Sequence, residues 1–299
     1  MPIKVDYHLH SRCSDGKFSP EGVVKIAAEF GLREISVTDH NTLSHIQAAQ
    51  ETAEQLGMIF IKGCEITARV GKIDYHILAY GFTRQDLLKD FFEKEKKKQE
   101  ERALKTAQKL IELGWSLELS LLWEKKKFTE TFGRLLIVQA ILADPKNSER
   151  LERERIFSDD DFYSKYLGKG CSAYFPRKKP GIKKVIKLIH LSGGLAIWAH
   201  PIWTLNEYYT QMTVSHLGEN FRKMRRAGID GLEVFYPGIK ASQALTLYHM
   251  CWKYRLIVTG GSDWHGEVFR KGAESFPGEY PVFDGIQPDS LSKILANRK

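Results

Sequence analysis

Short apolar runs alternate with helical patterns along most of the chain. Strand-like runs fall at 3–7, 34–37, 58–62, 74–80, 195–199, 231–235 and 256–259. Helical periodicity follows most of them, notably at 43–56, 182–191, 214–227 and 241–254, where apolar residues recur three and four apart. Ser19-Pro20-Glu21 has the form of a helix start, with Ser as the cap and Pro at the first helical position. Gly31, Gly57 and Gly228 close three of the helical segments. Repeated strand–helix units with short apolar strands predict a parallel sheet or barrel. The pattern changes between 83 and 170, where only helical segments are found (84–113, 133–142 and 160–167). The charge-dense stretch at 93–102 alternates in sign and reads as a solvated helix face. The expected organisation is a first barrel part at 1–82, a helical insertion domain at 83–170 and a second barrel part at 171–299.

Composition narrows the classes. With 42% hydrophobic and 27% charged residues, the 299-residue chain fits neither a disordered nor a collagen-like class. No apolar run reaches membrane-spanning length, and the start lacks the apolar stretch of a secretory signal, so a cytoplasmic location is expected. Lys+Arg minus Asp+Glu is 45 − 37 = +8, a balance that favours anionic partners such as phosphates and nucleotides. Cys13, Cys64, Cys171 and Cys251 form no C-x-x-C pair, so they read as reduced structural thiols.

The histidines carry more information. His8, His10, His40, Glu65, His200, Asp263 and His265 each lie at or just after the carboxyl end of an expected strand. In parallel α/β barrels that rim is where chemistry is assembled. In His8-Leu9-His10, residues two apart on an extended chain point to the same side, so both imidazoles reach one ion. Asp263-Trp264-His265 repeats the device with a carboxylate. Mixed imidazole and carboxylate ligation suits Zn, Mn or Fe. Glu65 is a natural centre, because a carboxylate bridges two ions. His45, His190, His216 and His249 fall inside helical segments and read as structural.

The ordered set His8-Leu9-His10, Asp15, Thr38-Asp39-His40, Glu65, His76, Ala199-His200-Pro201 and Gly261-Ser262-Asp263-Trp264-His265 resembles the PHP (polymerase and histidinol phosphatase) family. That resemblance implies an α/β fold, a distorted (β/α)7 barrel with a helical insertion domain, and a site for two or three divalent ions. By position, it implies His8, His10, Glu65 and Asp263 around one ion, Glu65, His76 and His200 around a second, and Asp15, His40 and His265 around a third. Asp39 would orient a ligand histidine. The insertion is similar to that of PHP phosphoesterases acting on nucleotides, including nucleoside 3',5'-bisphosphate phosphatases and 5'→3' exoribonucleases of short RNA. Members often carry Gly-Arg-Pro-His there; this chain has Gly133-Arg134-Leu135-Leu136, and Gly238-Ile239 lacks a histidine often found after the Glu233–Phe235 strand.

The expected activity is metal-dependent hydrolysis of nucleotide phosphate monoesters by a hydroxide bridging two ions. Glu65, His200, His265 and Asp263 are the candidate catalytic residues. Arg134, Arg177 and Ser262 are the candidates for phosphate binding, since a guanidinium fork matches phosphate oxygens. Trp264 and Tyr236 offer rings that could stack on a base, although large aromatics at a rim are more often packing residues. Alternatives are a histidinol-phosphate phosphatase, a 5'→3' exonuclease on short oligonucleotides, a metal-stabilised nucleotide-binding module and, more distantly, an amidohydrolase. A small phosphorylated substrate is the expected partner, with no membrane and no obligate protein partner.

Overall fold

The structure, a computed structural model, describes residues 4–120, 133–176, 178–266, 276–282 and 286–298. It divides into two compact units, one of residues 1–89 and 179–299 and one of residues 90–178.

The first unit is mixed α/β. Its strands are β1 (Val5–Leu9), β2 (Glu34–Val37), β3 (Ile59–Phe60), β4 (Gly63–Val70), β5 (Ile73–Tyr80), β6 (Leu195–Trp198), β7 (Gly231–Phe235) and β8 (Ile257–Gly260). They form two sheets among the described residues, β1-β2-β3 and β4-β5-β6-β7-β8, rather than one closed barrel. The first sheet is parallel. In the second, β4 pairs antiparallel with β5 and β5 with β6, so the expectation of a purely parallel arrangement is corrected there. The cause is local: Gly71, at φ +63°, turns the chain between β4 and β5, a conformation that Gly adopts without steric cost. β4 was absent from the seven expected strands, and it carries Glu65. Isolated bridges pair Leu9 with Trp264 and His40 with Glu65.

Burial follows the apolar periodicities. Val23, Val24 and Ala27 of the Pro20–Glu29 helix pack with Ile35 and Val37 of β2 and with Ala49 and Ala53 of the Ile46–Gln55 helix. Ser19 Oγ caps the Pro20–Glu29 helix by accepting from the Gly22 amide at 3.1 Å. Tyr7, Leu78, Tyr80, Leu195, Ile197 and Leu291 form a second cluster. The Leu291–Ala296 helix is tied to the sheet through buried Glu34, which accepts from Tyr7 Oη at 2.8 Å and from the Ser292 amide at 2.8 Å. Ile182–Leu191, Val214–Ala227 and Ala241–Tyr254 are helices with the bounds that their periodicity predicts. No helix among the described residues is long and apolar enough to cross a membrane.

The second unit has its own core, with Trp115, Ile137, Ile141, Phe162 and Tyr166 buried together. Arg150 lies over the Trp115 ring, 4.1 Å from its centroid, and donates to Leu113 O at 2.8 Å. Buried Asn147 receives the Ser116 amide and donates to the Ser116 and Ile141 carbonyls, at 2.8, 2.8 and 3.0 Å.

Candidate metal centre

Strand ends and the loops that follow them supply the polar cluster. His8 lies on β1 and His10 just beyond it; His40 follows β2, Glu65 is on β4, His76 on β5, His200 follows β6, and Asp263 and His265 follow β8. Glu65 sits at the centre, fully buried. Its Oε2 lies 3.2 Å from His8 Nε2, 3.3 Å from His10 Nε2 and 3.1 Å from His40 Nδ1. Its Oε1 lies 2.8 Å from His76 Nδ1 and 3.3 Å from His200 Nε2. Asp263 Oδ1 reaches the same His8 and His10 nitrogens at 3.3 and 3.0 Å. Asp15 lies at the open side, 3.3 Å from His265 Nε2 and 3.7 Å from both His10 Nδ1 and His40 Nε2.

Three groups therefore have ligand atoms within 4.8 Å of one another: His8, His10, Glu65 and Asp263; His40, Glu65 and His76; and His10, Asp15, His40 and His265. All nine residues expected as metal ligands from the sequence are brought together. By proximity of ligand atoms His40 also lies with Glu65 and His76, and His10 with the outer set, while His76 and His200 share Glu65 Oε1.

The backbone is bent to make this possible. Asn41, His200 and Asp263 adopt φ of 53°, 28° and 52°, left-handed values that are uncommon for residues other than Gly and concentrate at functional sites. Asn41 is held there by its amide on Glu65 O at 2.8 Å and by the Thr67 amide on its Oδ1 at 3.2 Å. Gly261 runs so close to β1 that a Cβ at that position would lie 2.2 Å from His8 Cβ.

A second layer of side chains sets the imidazoles. Glu233 on β7 is fully buried; its Oε1 lies 3.0 Å from His8 Nδ1 and its Oε2 accepts from the His200 amide at 2.8 Å. The first contact leaves His8 Nε2 facing Glu65 and Asp263. Glu233 stood out in the sequence only for its strand pattern, because its role depends on what lies across the sheet. Asp39 accepts from the Ser11 amide at 2.8 Å and the Ser14 hydroxyl at 2.6 Å, and lies 3.1 Å from His45 Nδ1. It fixes the loop after His10, which corrects its expected role on a ligand histidine. Asp6 ties the Ser262 and Gly278 amides to β1 at 3.0 and 2.6 Å, and burial pushes its carboxyl up to about 6 against those bonds.

The residues present fit divalent ions. His10 is fully buried, and neither of its ring nitrogens makes a directed hydrogen bond among the described residues, although carboxylate oxygens surround Nε2. Burial works to lower His10, yet Asp263 and Glu65 push it up to about 10. His8 is raised well above its ordinary value, again against burial, by Glu233, Asp263 and Glu65. Glu65, for which burial favours the neutral form, is held well below the usual carboxylate range by His40, His76 and His8. His8 and His10 are thus drawn toward their protonated forms by the surrounding carboxylates, while burial lowers His40 to about 4; carboxylates converging on buried imidazoles call for positive charge, and ion binding releases protons held there.

The other expected contacts are placed as follows. Ser262 is fully buried, with its amide on Asp6 Oδ1 at 3.0 Å. Trp264 stacks on Phe18 at 5.4 Å, and Tyr236 is buried with its hydroxyl accepting from the Ile202 amide at 3.0 Å. Both are packing residues, the commoner role expected of large aromatics at a rim. Arg134 lies in the second unit, where it donates to Leu167 O at 3.3 Å and covers Tyr163. Arg177 lies outside the described residues. His45, His190 and His216 have structural contacts, with Gly63 O at 3.1 Å, Asp230 Oδ2 at 2.8 Å and the Tyr209 ring at 3.9 Å. A cleft of about 220 Å³ lies at the cluster, lined by His40, His76, His200 and His265 together with Trp203.

Comparison with known proteins agrees with this geometry. The chain is 27% identical over 266 residues to a 5'-3' exoribonuclease of Haemophilus influenzae, covering 89% of this chain and 91% of that one. It is 24% identical over 270 residues to a phosphoribosyl 1,2-cyclic phosphate 1,2-diphosphodiesterase of Eggerthella lenta, covering 89% and 95%. The structure of a candidate metal-dependent phosphoesterase from Bifidobacterium adolescentis superposes with a TM-score of 0.65 at 26% identity, covering 95% and 94%. The model of the PHP domain matches residues 6–230, three quarters of the chain, and the chain therefore belongs to the PHP domain family.

Proposed function

We propose that this protein hydrolyses phosphate esters of nucleotides, or of the ends of short RNA, at the imidazole–carboxylate centre. Membership of the PHP family and relatives named for phosphodiesterase and exoribonuclease activity make it a metal-dependent phosphoester hydrolase. The observation that carries the reading is the convergence of three ligand groups at one cleft, two of them sharing Glu65.

His8, His10, Glu65 and Asp263 would hold one ion, His40, Glu65 and His76 a second with His200 beside it, and Asp15, His10, His40 and His265 a third. Bound there, Mn, Zn or Fe acts as a Lewis acid on phosphoryl oxygens and lowers the pKa of water toward neutrality. The chain's own part is to hold those positions rigidly. Glu233 fixes the His8 ring and the His200 backbone, and Thr204 Oγ1 lies 3.4 Å from His200 Nδ1, which leaves Nε2 facing Glu65. His265 Nδ1 is anchored on the Asp263 carbonyl at 2.7 Å, so its Nε2 points to Asp15 and the open cleft. His200 and His265 both border the cleft, where their Nε2 atoms would serve as ligand atoms, and an imidazole so held is a poor proton donor. We propose further that the two sheets are the halves of the distorted (β/α)7 barrel expected from the resemblance, with the Leu9–Trp264 and His40–Glu65 bridges as its seams.

The test is a panel of phosphate esters offered to Mn-loaded protein: mononucleotides, adenosine 3',5'-bisphosphate, histidinol phosphate and a 5'-labelled short RNA. Phosphate or mononucleotide release from nucleotide substrates is the expected result. Release from histidinol phosphate alone would support the alternative phosphatase, and nucleotide binding without turnover of any ester would support a binding module.

A further inference from the structure

Two strands bulge beside the metal centre. Between β1 and β2, Asp6 stands opposite Ile35 and Leu9 opposite Val37, so three steps along β1 face two along β2. The extra residue falls at Tyr7-His8. Between β7 and β8, Glu233 stands opposite Thr259 and Phe235 opposite Gly260, which puts a second bulge next to Glu233. A bulge re-aims the side chains beside it. These two flank the contact of His8 Nδ1 with Glu233 Oε1 at 3.0 Å.

Asp6 is the side chain that ties the first bulge to the segment carrying Asp263. The His8 amide faces that segment, since a Cβ on Gly261 would lie 2.7 Å from its nitrogen. It donates to Asp6 Oδ1 at 3.0 Å. The Ser262 amide donates to the same oxygen, also at 3.0 Å, and the Gly278 amide to Oδ2 at 2.6 Å. A second tie to the segment is the His10 amide on Trp264 O at 2.9 Å. Between the Ser262 and Trp264 ties, Asp263 holds a left-handed φ of 52°. From there its Oδ1 lies 3.3 Å from His8 Nε2 and 3.0 Å from His10 Nε2. A residue other than Gly keeps such a φ where its surroundings over-determine it. The Trp264 tie is backbone on both sides. The Ser262 tie depends on a side chain, and that same oxygen also holds the His8 amide.

We propose that Asp6 is a positioning residue for the metal centre. Its Oδ1 sets the His8 bulge and the left-handed turn at Asp263 together, so that both ligands meet one ion. The inference rests on the metal-centre reading above and adds to it the group that fixes its geometry. The role needs an acceptor oxygen at the Oδ1 position, not a negative charge. Asn keeps one carbonyl oxygen there for both amides, whereas its NH2 group cannot accept from Gly278.

Calorimetric titration with Mn²⁺ of wild-type, Asp6→Asn and Asp6→Ala protein tests this. Asp6→Ala is expected to bind at least one ion about 10–100-fold more weakly, the range for groups that orient ligands, and Asp6→Asn to stay within about threefold of the wild type. The ligand-field spectrum of Co²⁺-loaded protein follows coordination geometry. It should be unchanged in Asp6→Asn and altered in Asp6→Ala. Equal affinities and spectra in all three proteins would overturn the inference, because the ligands would then need no such tie. Asp6→Asn as impaired as Asp6→Ala would also overturn it, since the charge or the Gly278 contact would then carry the effect. Should Asp6→Ala fail to fold, Asp6→Leu, close to Asn in size and without an acceptor, takes its place with the same expectations. If Asp6→Asn folds and neither apolar variant does, Asp6 serves folding and the positioning role is refuted. Wild-type protein that binds no Mn²⁺ would contradict the metal-centre reading itself, and this inference with it.

Discussion

Glu233 touches two separate parts of the centre, the His8 ring and the His200 backbone amide, from a buried position on β7. Carboxylates in such positions fix the tautomer and orientation of a ligating imidazole, and their loss typically weakens metal binding by about 10–100-fold. Glu233→Gln is accordingly expected to bind Mn²⁺ more weakly by that factor while keeping its far-ultraviolet circular dichroism. Calorimetric titration giving the same affinity in both proteins would mean that His8 needs no orienting carboxylate. At this scale the sequence was most legible where ligand types recur at short spacing, as in His8-Leu9-His10 and Asp263-Trp264-His265. It was silent on Glu233 and Asp6, whose parts depend on partners far along the chain. It left Trp264 and Tyr236 open between packing and stacking, because an aromatic beside a ligand motif does not reveal which side of the backbone it packs on.

The helices were the most readable elements. Caps and apolar spacing located Ile182–Leu191, Val214–Ala227 and Ala241–Tyr254 to the residue. The β4–β5 hairpin was half missed, since the 58–62 run drew the strand assignment toward itself and left Gly63–Val70 as a lead-in to Glu65. Only β3, two residues long, remains of the expected strand. In the second unit, Glu154 links several segments: it receives Arg150 Nε at 2.8 Å and Tyr166 Oη at 2.6 Å, and lies 3.1 Å from Lys165 Nζ. Burial favours its neutral form, but Arg150, Tyr166 and Lys165 together outweigh it and lower its carboxyl from 4.5 to about 2. A carboxylate depressed on folding stabilises the protein above its unfolded pKa, and that contribution is lost as pH falls through the folded value. Wild-type stability should thus drop more steeply than that of Glu154→Gln between pH 4.5 and about 2, by no more than about 1 kcal/mol given solvent screening. Thermal melts at stepped pH check this, and parallel profiles would show that the network adds nothing.

For the whole molecule, the family and the α/β character were readable because the ligand order survives across a long interruption by helices. The division into two sheets was not, since pairing direction depends on turns such as Gly71 rather than on apolar periodicity. The net charge of +8 agrees with an anionic substrate but does not select one. The central claim is that Glu65 joins distant parts of the chain around catalytic ions. Elemental analysis of Mn-loaded wild-type and Glu65→Ala protein, with ester hydrolysis followed on the same samples, tests it most directly. Wild-type protein should retain two or more ions per chain, and the variant should retain at most one and lose turnover on the order of 10³-fold or more. A folded variant with undiminished metal content and rate would contradict the account.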